Sequence, residues 1–204
     1  VGVAGGTGAG KSTIVKEILK QLGTEKVSVI QHDSYYKNRP ELSFEERTKI
    51  NFDHPDSLET NLLVEHLNLL ISGKNVEIPV FHHFTKYLRD SSTKKVESRP
   101  ILIVEGILVL NDKELRDLMN LKVFIDVPPD LRFIRRLKRD LSEHGRSVES
   151  VTKQYLATIR TMHEEYVEPS KIYADVFIPE GWSNRQAVNL LVSHLQTLQE
   201  KHFS

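Results

Sequence analysis

The stretch GGTGAGKST, residues 5–13, most constrains what this chain can fold into. Gly5, Gly10, Lys11 and Ser12 stand at the spacing G-x-x-x-x-G-K-[ST]. The glycines let backbone N–H groups curl around phosphate oxygens, Lys11 reaches the terminal phosphates, and Ser12 offers its hydroxyl to Mg²⁺. Such a phosphate-binding loop, or P-loop, works where a buried strand feeds a helix whose positive end faces the same anion. "VGVA" (1–4) supplies the strand, and Ile14, Val15, Ile18, Leu19 and Leu22 recur at helical spacing behind the loop. Gly5, Gly6, Thr7, Gly8, Ala9, Gly10, Lys11, Ser12 and Thr13 are therefore the candidate nucleotide-binding residues.

The rest of the chain repeats this alternation. "VSVI" (27–30), "ILIV" (101–104), "KVFIDV" (122–127) and "ADVFI" (174–178) read as further strands, apolar enough to be buried on both faces. Residues 57–72, 129–143, 147–166 and 184–201 read as helices. The pattern predicts an α/β, three-layer P-loop NTPase fold, a five-stranded parallel sheet with helices on both faces. Two segments interrupt it. Residues 33–56 are polar and rich in aromatics, and residues 74–100 read as a hairpin or flap laid over the sheet. With 204 residues and no internal repeat, a single domain over 1–204 is expected. The flap falls at about 74–100, and an arginine-rich lid at about 131–147.

Composition closes off several classes. Lys plus Arg and Asp plus Glu both number 28, so no overall field draws the chain to nucleic acid or an acidic membrane. The absence of cysteine excludes disulfides and thiolate chemistry and fits a cytoplasmic enzyme. The longest apolar run, "ILIVEGILVL" (101–110), is broken by Glu105 and too short to span a bilayer. No signal peptide is visible, and since Val1 falls within a strand, a few residues are expected before it.

A P-loop needs a carboxylate near its metal, and two are placed where strands exit toward the ligand crevice. Glu105 ends "ILIVE", and Asp33 follows "VSVIQH". Together they imply one metal ligand and one group for proton abstraction. Farther on, Arg132, Arg135, Arg136 and Arg139 share one helix face, opposite Leu131, Ile134, Leu137 and Leu141. Like charges at these spacings cost about 0.2–0.5 kcal/mol per pair, offset in part by Asp140 and Glu143. For Arg132 and Arg135 a solvated face with internal ion pairs remains open. Arg136, Arg139 and Arg146, in "SEHGRS" with Gly145 as its flexible point, read as groups closing over a transferring phosphoryl.

In "NFDHPDSLETNL" (51–62), Asp56 and Glu59 form a capping box before an apolar run. Asp53 has no such duty and is a candidate for hydrogen bonds from a sugar diol.

"GGTGAGKST", "HDSYY", "NFDHPDSL", "EGIL", "RRLKRDLSEHGR", "VTKQY" and "EPSKIYADVFIP" occur in the order and spacing of the uridine–cytidine kinase family, which the chain resembles over nearly its whole length. The resemblance implies an NMP-kinase-like fold and ATP-dependent phosphorylation of the 5′-hydroxyl of uridine or cytidine, with Mg²⁺ and with GTP left open as donor. It makes Asp33 the general base near the metal, with Ser12 and Glu105 as the other metal residues. Asp53 and Arg136 hold the ribose hydroxyls, Tyr36 and Gln154 line the same site, and Arg139 and Arg146 join Lys11 on the phosphates. Phe81, Phe84 and Tyr87 belong to the flap over the base. A small-molecule nucleoside partner, a homo-oligomer (a tetramer), and no nucleic acid or membrane partner go with it.

The flap departs from the family pattern. Where the family reads Pro-x-Tyr-Asp-Phe and then His-x-Arg, this chain has "PVFHHFTKYLR" (79–89), one residue longer and with Tyr87 in place of the histidine. His82 and His83, as strand neighbours, point to opposite faces and have no evident third metal ligand. His144 stands where the family's lid has arginine. The alternatives are a phosphoribulokinase-like kinase of another small alcohol and a nucleotide-binding regulator that transfers nothing.

Overall fold

The computed structural model describes residues 1–83 and 85–202. β1 (Gly2–Ala4) lies at the centre of a five-stranded parallel sheet. It is flanked by β5 (Ile101–Glu105) and then β2 (Val27–Gln31) on one side. On the other side lie β6 (Lys122–Asp126) and β7 (Val176–Pro179). The strand residues alternate between two cores. Val3, Ile103, Val123 and Ile125 face one layer of helices, α1 (Lys11–Leu22) and α9 (Arg185–His202). Ala4, Ile30, Val104 and Phe124 face the other, where α3 (Thr60–Ile71) packs through Leu63, Leu67 and Leu70. Both faces of the inner strands are thus covered, as apolar strands require. The expectation fails on the edge strand β7, where only Ile178 is buried. Val176 and Phe177 stay exposed because, among the described residues, no further strand or helix lies over them. Full burial of side chains such as Ile14 and Ile18 is worth about 1.5–3 kcal/mol each.

Residues 74–100 form an antiparallel hairpin, β3 (Val76–His82) with β4 (Leu88–Val96), separate from the main sheet. Its register shifts between Pro79 and Phe81. Arg89 ties the hairpin down through Glu59 at 2.8 Å and through its backbone N–H to Asn38 Oδ1 at 3.1 Å. The polar 33–56 stretch is pinned as well, by a bridge between Tyr36 and Leu58. Within it the short helix α2 (Phe44–Arg47) carries its own capping box, Ser43 with Glu46.

Two more local expectations fail for physical reasons. The helix expected from residue 57 begins at Thr60, because Pro55 opens a tight 3₁₀ turn over 55–57 and Leu58 then runs extended. His54, not Asp56, caps that turn, accepting the Asp56 N–H at 3.1 Å. Glu59 makes no cap with its side chain and pairs with Arg89 instead.

The second concerns α5 (Pro129–His144), whose amphipathicity is inverted. Its arginine face turns inward: Arg132, Arg136 and Asp140 are buried, while Leu131, Ile134 and Leu141 are exposed. Polar partners already in place explain this. Arg132 donates to the Val127 carbonyl at 2.9 Å and meets His163 Nε2 at 2.9 Å, so it is neither solvated nor aimed at a phosphate. Beyond α5, α6 (Val148–Gln154) continues through two π-helical stretches, Tyr155–Ile159 and His163–Val167.

Candidate active site

The register of the sheet builds the centre of the site. Glu105 ends β5 opposite Val3 on one side and Gln31 on the other. This sets a buried carboxylate directly beside the P-loop. Ser12 donates its hydroxyl to Glu105 Oε2 at 2.9 Å, and Gln31 Nε2 donates to Oε1 at 3.1 Å. Ser12 and Glu105 together offer hard oxygen donors, the set that suits Mg²⁺. Asp33 sits in the 3₁₀ turn His32–Tyr35, two residues past the end of β2.

Lys11 lies in the loop with its ammonium donating to the Gly5 and Gly6 carbonyls at 2.9 and 3.3 Å. Burial pulls its pKa down, while Glu105 and Asp33 pull it back up. Gly8 and Gly10 hold φ of +77° and +93°. A Cβ on Gly8 would fall 2.2 Å from the Arg132 carbonyl oxygen, so both the turn and the close approach demand glycine.

A cleft of about 920 Å³ runs along this loop, lined by Thr7, Gly8, Gly10, Lys11, Ser12 and Thr13. Glu105, Asp33, Tyr36, Asp53, Tyr87, Arg136, Arg139 and Gln154 open onto the same space. Thus most residues expected from the sequence share one cavity. Asp53 has its pKa pushed up to about 6, chiefly by burial, with Arg136 opposing. Burial holds the Tyr36 phenol well above its usual range, helped by Asp33 and Asp53, so it stays a neutral donor.

An arginine network joins the two sides of the cleft. Arg136 donates to Thr7 Oγ1 at 2.9 Å in the P-loop and to Gln154 Oε1 at 3.2 Å. Arg146 donates to the same Gln154 oxygen at 2.6 Å. Asp140, with no exposed surface, meets Arg136, Arg139 and Arg146 at 3.5, 3.1 and 3.3 Å. Arg139 reaches the cleft, whereas Arg146 is held back on Asp140, Gln154 and Ser150 outside its lining.

The aromatic wall also departs from expectation. Phe81 is buried and packs behind Tyr36, Phe52 and His83, with ring centroids at 5.3, 5.8 and 4.8 Å. His83 takes the surface position, packing on Tyr36 at 5.3 Å. Tyr87 stacks on Phe52 at 5.6 Å and 19°, from a backbone with φ of +50°. Phe84 lies outside the described residues. His82 turns to the other face and pairs with Asp90 at 2.5 Å. Reading the sequence missed His83, Arg135 and Trp182 as cleft residues. The doubled histidine was the one available signal for the first of these.

A P-loop set against strand-end carboxylates and a basic helix, on this sheet order, defines a P-loop kinase. The chain belongs to the Phosphoribulokinase / Uridine kinase family, whose model matches residues 1–187. It is 48% identical over 196 residues to the uridine kinase of Chloroflexus aurantiacus, covering 96% of this chain and 93% of that one. To the uridine kinase of Streptococcus gordonii it is 46% identical over 198 residues, covering 97% and 94%. Among solved structures, phosphoribulokinase from Rhodobacter spheroides shares the fold at a TM-score of 0.63 and 16% identity, covering 87% and 68%.

Proposed function

We propose that this protein transfers the γ-phosphoryl group of ATP to the 5′-hydroxyl of uridine or cytidine. The observation that carries the reading is one cleft in which the P-loop meets a carboxylate pair, Asp33 and Asp53, under an aromatic wall. The extent of identity to uridine kinases supports it.

Asp33 accepts the proton of the 5′-hydroxyl as its oxygen bonds to the γ-phosphorus and the bond to the β-bridging oxygen breaks, releasing ADP. Asp53 and Arg136 hold the ribose diol, and Tyr36 donates a neutral hydroxyl beside them. Ser12 and Glu105 would hold Mg²⁺, which supplies charge neutralisation on the β- and γ-phosphates. Lys11 and Arg139 spread the remaining charge of the transition state. A cytoplasmic homo-oligomer serving pyrimidine salvage goes with this reading, as does a single domain. No helix among the described residues is long and apolar enough to cross a membrane.

The test is ADP release from Mg²⁺-ATP against uridine, cytidine, adenosine, ribulose 5-phosphate and no acceptor. Turnover confined to uridine and cytidine is expected. Turnover confined to ribulose 5-phosphate, or silence with every acceptor, would overturn the reading. Asp33→Asn should lower kcat by about 10²–10⁴ while ATP still binds.

A further inference from the structure

The second π-helical stretch, His163–Val167, reaches both sides of the cleft without lining it. A π-helical turn carries i→i+5 hydrogen bonds in place of i→i+4 and occurs often at functional sites. Residues three apart are neighbours on an α-helix, yet across this widened turn His163 and Tyr166 meet different parts of the molecule.

His163 faces α5. Its Nε2 lies 2.9 Å from Arg132 Nη2, with the Glu168 carboxylate at 3.3 Å from the same atom. Its Nδ1 is buried with no hydrogen-bond partner among the described residues, so the ring's polar contacts there run through Nε2. Arg132 is buried in turn and forms the back wall of the P-loop. A Cβ on Gly6 would fall 2.4 Å from Arg132 Nη1, and one on Gly8 would fall 2.2 Å from its carbonyl oxygen. Gly6 holds no positive φ, so the guanidinium behind it is what leaves no room for a side chain. Without His163, a buried donor would lose its partner and the guanidinium could shift against the loop.

Tyr166 faces the acceptor side. Its hydroxyl lies 3.0 Å from His54 Nε2, and its ring packs edge-on against the same imidazole with centroids 5.0 Å apart. His54 Nδ1 accepts the Asp56 N–H at 3.1 Å. The proton of the neutral ring is therefore on Nε2, and the Tyr166 hydroxyl accepts it. His54 directly follows Asp53, and Ser57 Oγ binds the Phe52 and His54 carbonyls on either side of it at 3.1 and 2.6 Å. A displaced His54 would carry Asp53 with it.

We propose that His163 and Tyr166 are positioning residues, one holding the P-loop through Arg132 and the other the Asp53 loop through His54. A single turn of helix thereby sets the spacing of donor and acceptor, although neither side chain touches them. The proposal rests on the kinase reading above, which supplies the two substrates. In-line transfer depends on that spacing, and a misplacement of about 1 Å can cost about 10²-fold in rate.

Calorimetry at pH 7.5 reads the two contacts separately, with uridine and Mg²⁺-ATP each titrated into the whole protein. Tyr166→Phe should weaken uridine about 3–10-fold, the worth of one hydrogen bond, and leave ATP unchanged. His163→Leu should weaken ATP by a similar factor and leave uridine unchanged. His163→Gln, which returns an oxygen acceptor to Arg132, should restore most of that loss. The double variant Tyr166→Phe with His163→Leu should lower kcat about 10²-fold. A merely structural role would loosen the whole fold and move both affinities together. Affinities that fall together, or that hold in both single variants, would overturn the proposal. So would a His163→Gln protein no better than His163→Leu. A parent protein that binds ATP but neither uridine nor cytidine would sink the nucleoside-kinase reading, and the proposal with it, before any variant is made.

Discussion

Asp53 combines two properties that compete. It lies beside Arg136 and Asp33, where a diol could be held, yet burial lifts its pKa to about 6 from 3.8. Only the ionised carboxylate accepts both hydroxyl hydrogen bonds, so acceptor affinity should be full above pH 6 and fall toward tenfold per unit below it. Calorimetric uridine titrations from pH 5 to 8 would read this directly, without turnover and hence without the general base. A flat profile would remove Asp53 from the ribose site. The same raised pKa also predicts a stability effect of opposite sense. A carboxyl whose folded pKa exceeds its unfolded value destabilises the fold above that folded pKa, and the cost fades as pH falls through it. Asp53→Asn should therefore gain on the order of 2 kcal/mol at pH 8 while weakening uridine binding. Denaturant unfolding of both forms would show it, and a variant less stable than the parent at pH 8 would contradict the desolvation account.

At the scale of elements, α5 shows where pattern reading succeeds and where it stops. The 3.6-residue spacing of its arginines and leucines placed the helix, and the glycine-lysine spacing placed the P-loop on β1. Glu105 at the end of β5 and Asp33 in the turn after β2 followed from strand ends alone. Periodicity, however, says that a helix has two faces and not which one is buried. Asp140 decides that here, since three guanidiniums converge on one carboxylate that has no exposed surface. A hub of this kind is invisible in one dimension, because Arg146 arrives only after the helix has ended at Gly145. Trp182 was equally hidden, for nothing local says that its turn presses on Gly10.

The inversion makes two checkable claims. Asp140→Asn should leave three buried or half-buried cations without their anion, costing about 3–5 kcal/mol of stability. It should also lower kcat about 10²-fold by misplacing Arg136 and Arg139. Ile134→Gln should change stability by less than about 0.5 kcal/mol, because Ile134 is 46% exposed. Thermal unfolding separates the cases, and a loss of several kcal/mol in Ile134→Gln would mean that the leucine face is covered.

For the molecule as a whole, the response to acid is set by histidines locked in the interior between elements. His32 is 1% exposed, between the end of β2 and α3, with Nε2 near Thr60 Oγ1 at 3.3 Å and Nδ1 without a hydrogen-bond partner among the described residues. Burial lowers its pKa to about 4 from 6.5, against the pull of Asp33 and Asp112. His163, between α5 and the π-helical segment, is likewise lowered to about 4, by burial and then by Arg132. Its Nε2 lies between the Arg132 guanidinium at 2.9 Å, which opposes a charged ring, and the Glu168 carboxylate at 3.3 Å, which pulls the other way. A histidine whose folded pKa lies below its unfolded value stabilises the fold fully above about 6.5 and loses that contribution as pH falls toward about 4. For His32 alone the loss between those limits is about 2–3 kcal/mol, a large part of the 5–15 kcal/mol that holds a typical domain together. Urea unfolding at pH 7.5 and 4.5 should therefore show a marked acid loss. In His32→Gln the neutral-pH stability should be lower and the acid loss smaller by that amount. Parallel curves for the two proteins would mean that His32 takes up its proton at the same pH folded as unfolded. The account of a ring held neutral in acid by the packing of the His32–Tyr35 turn against α3 would then have to be abandoned.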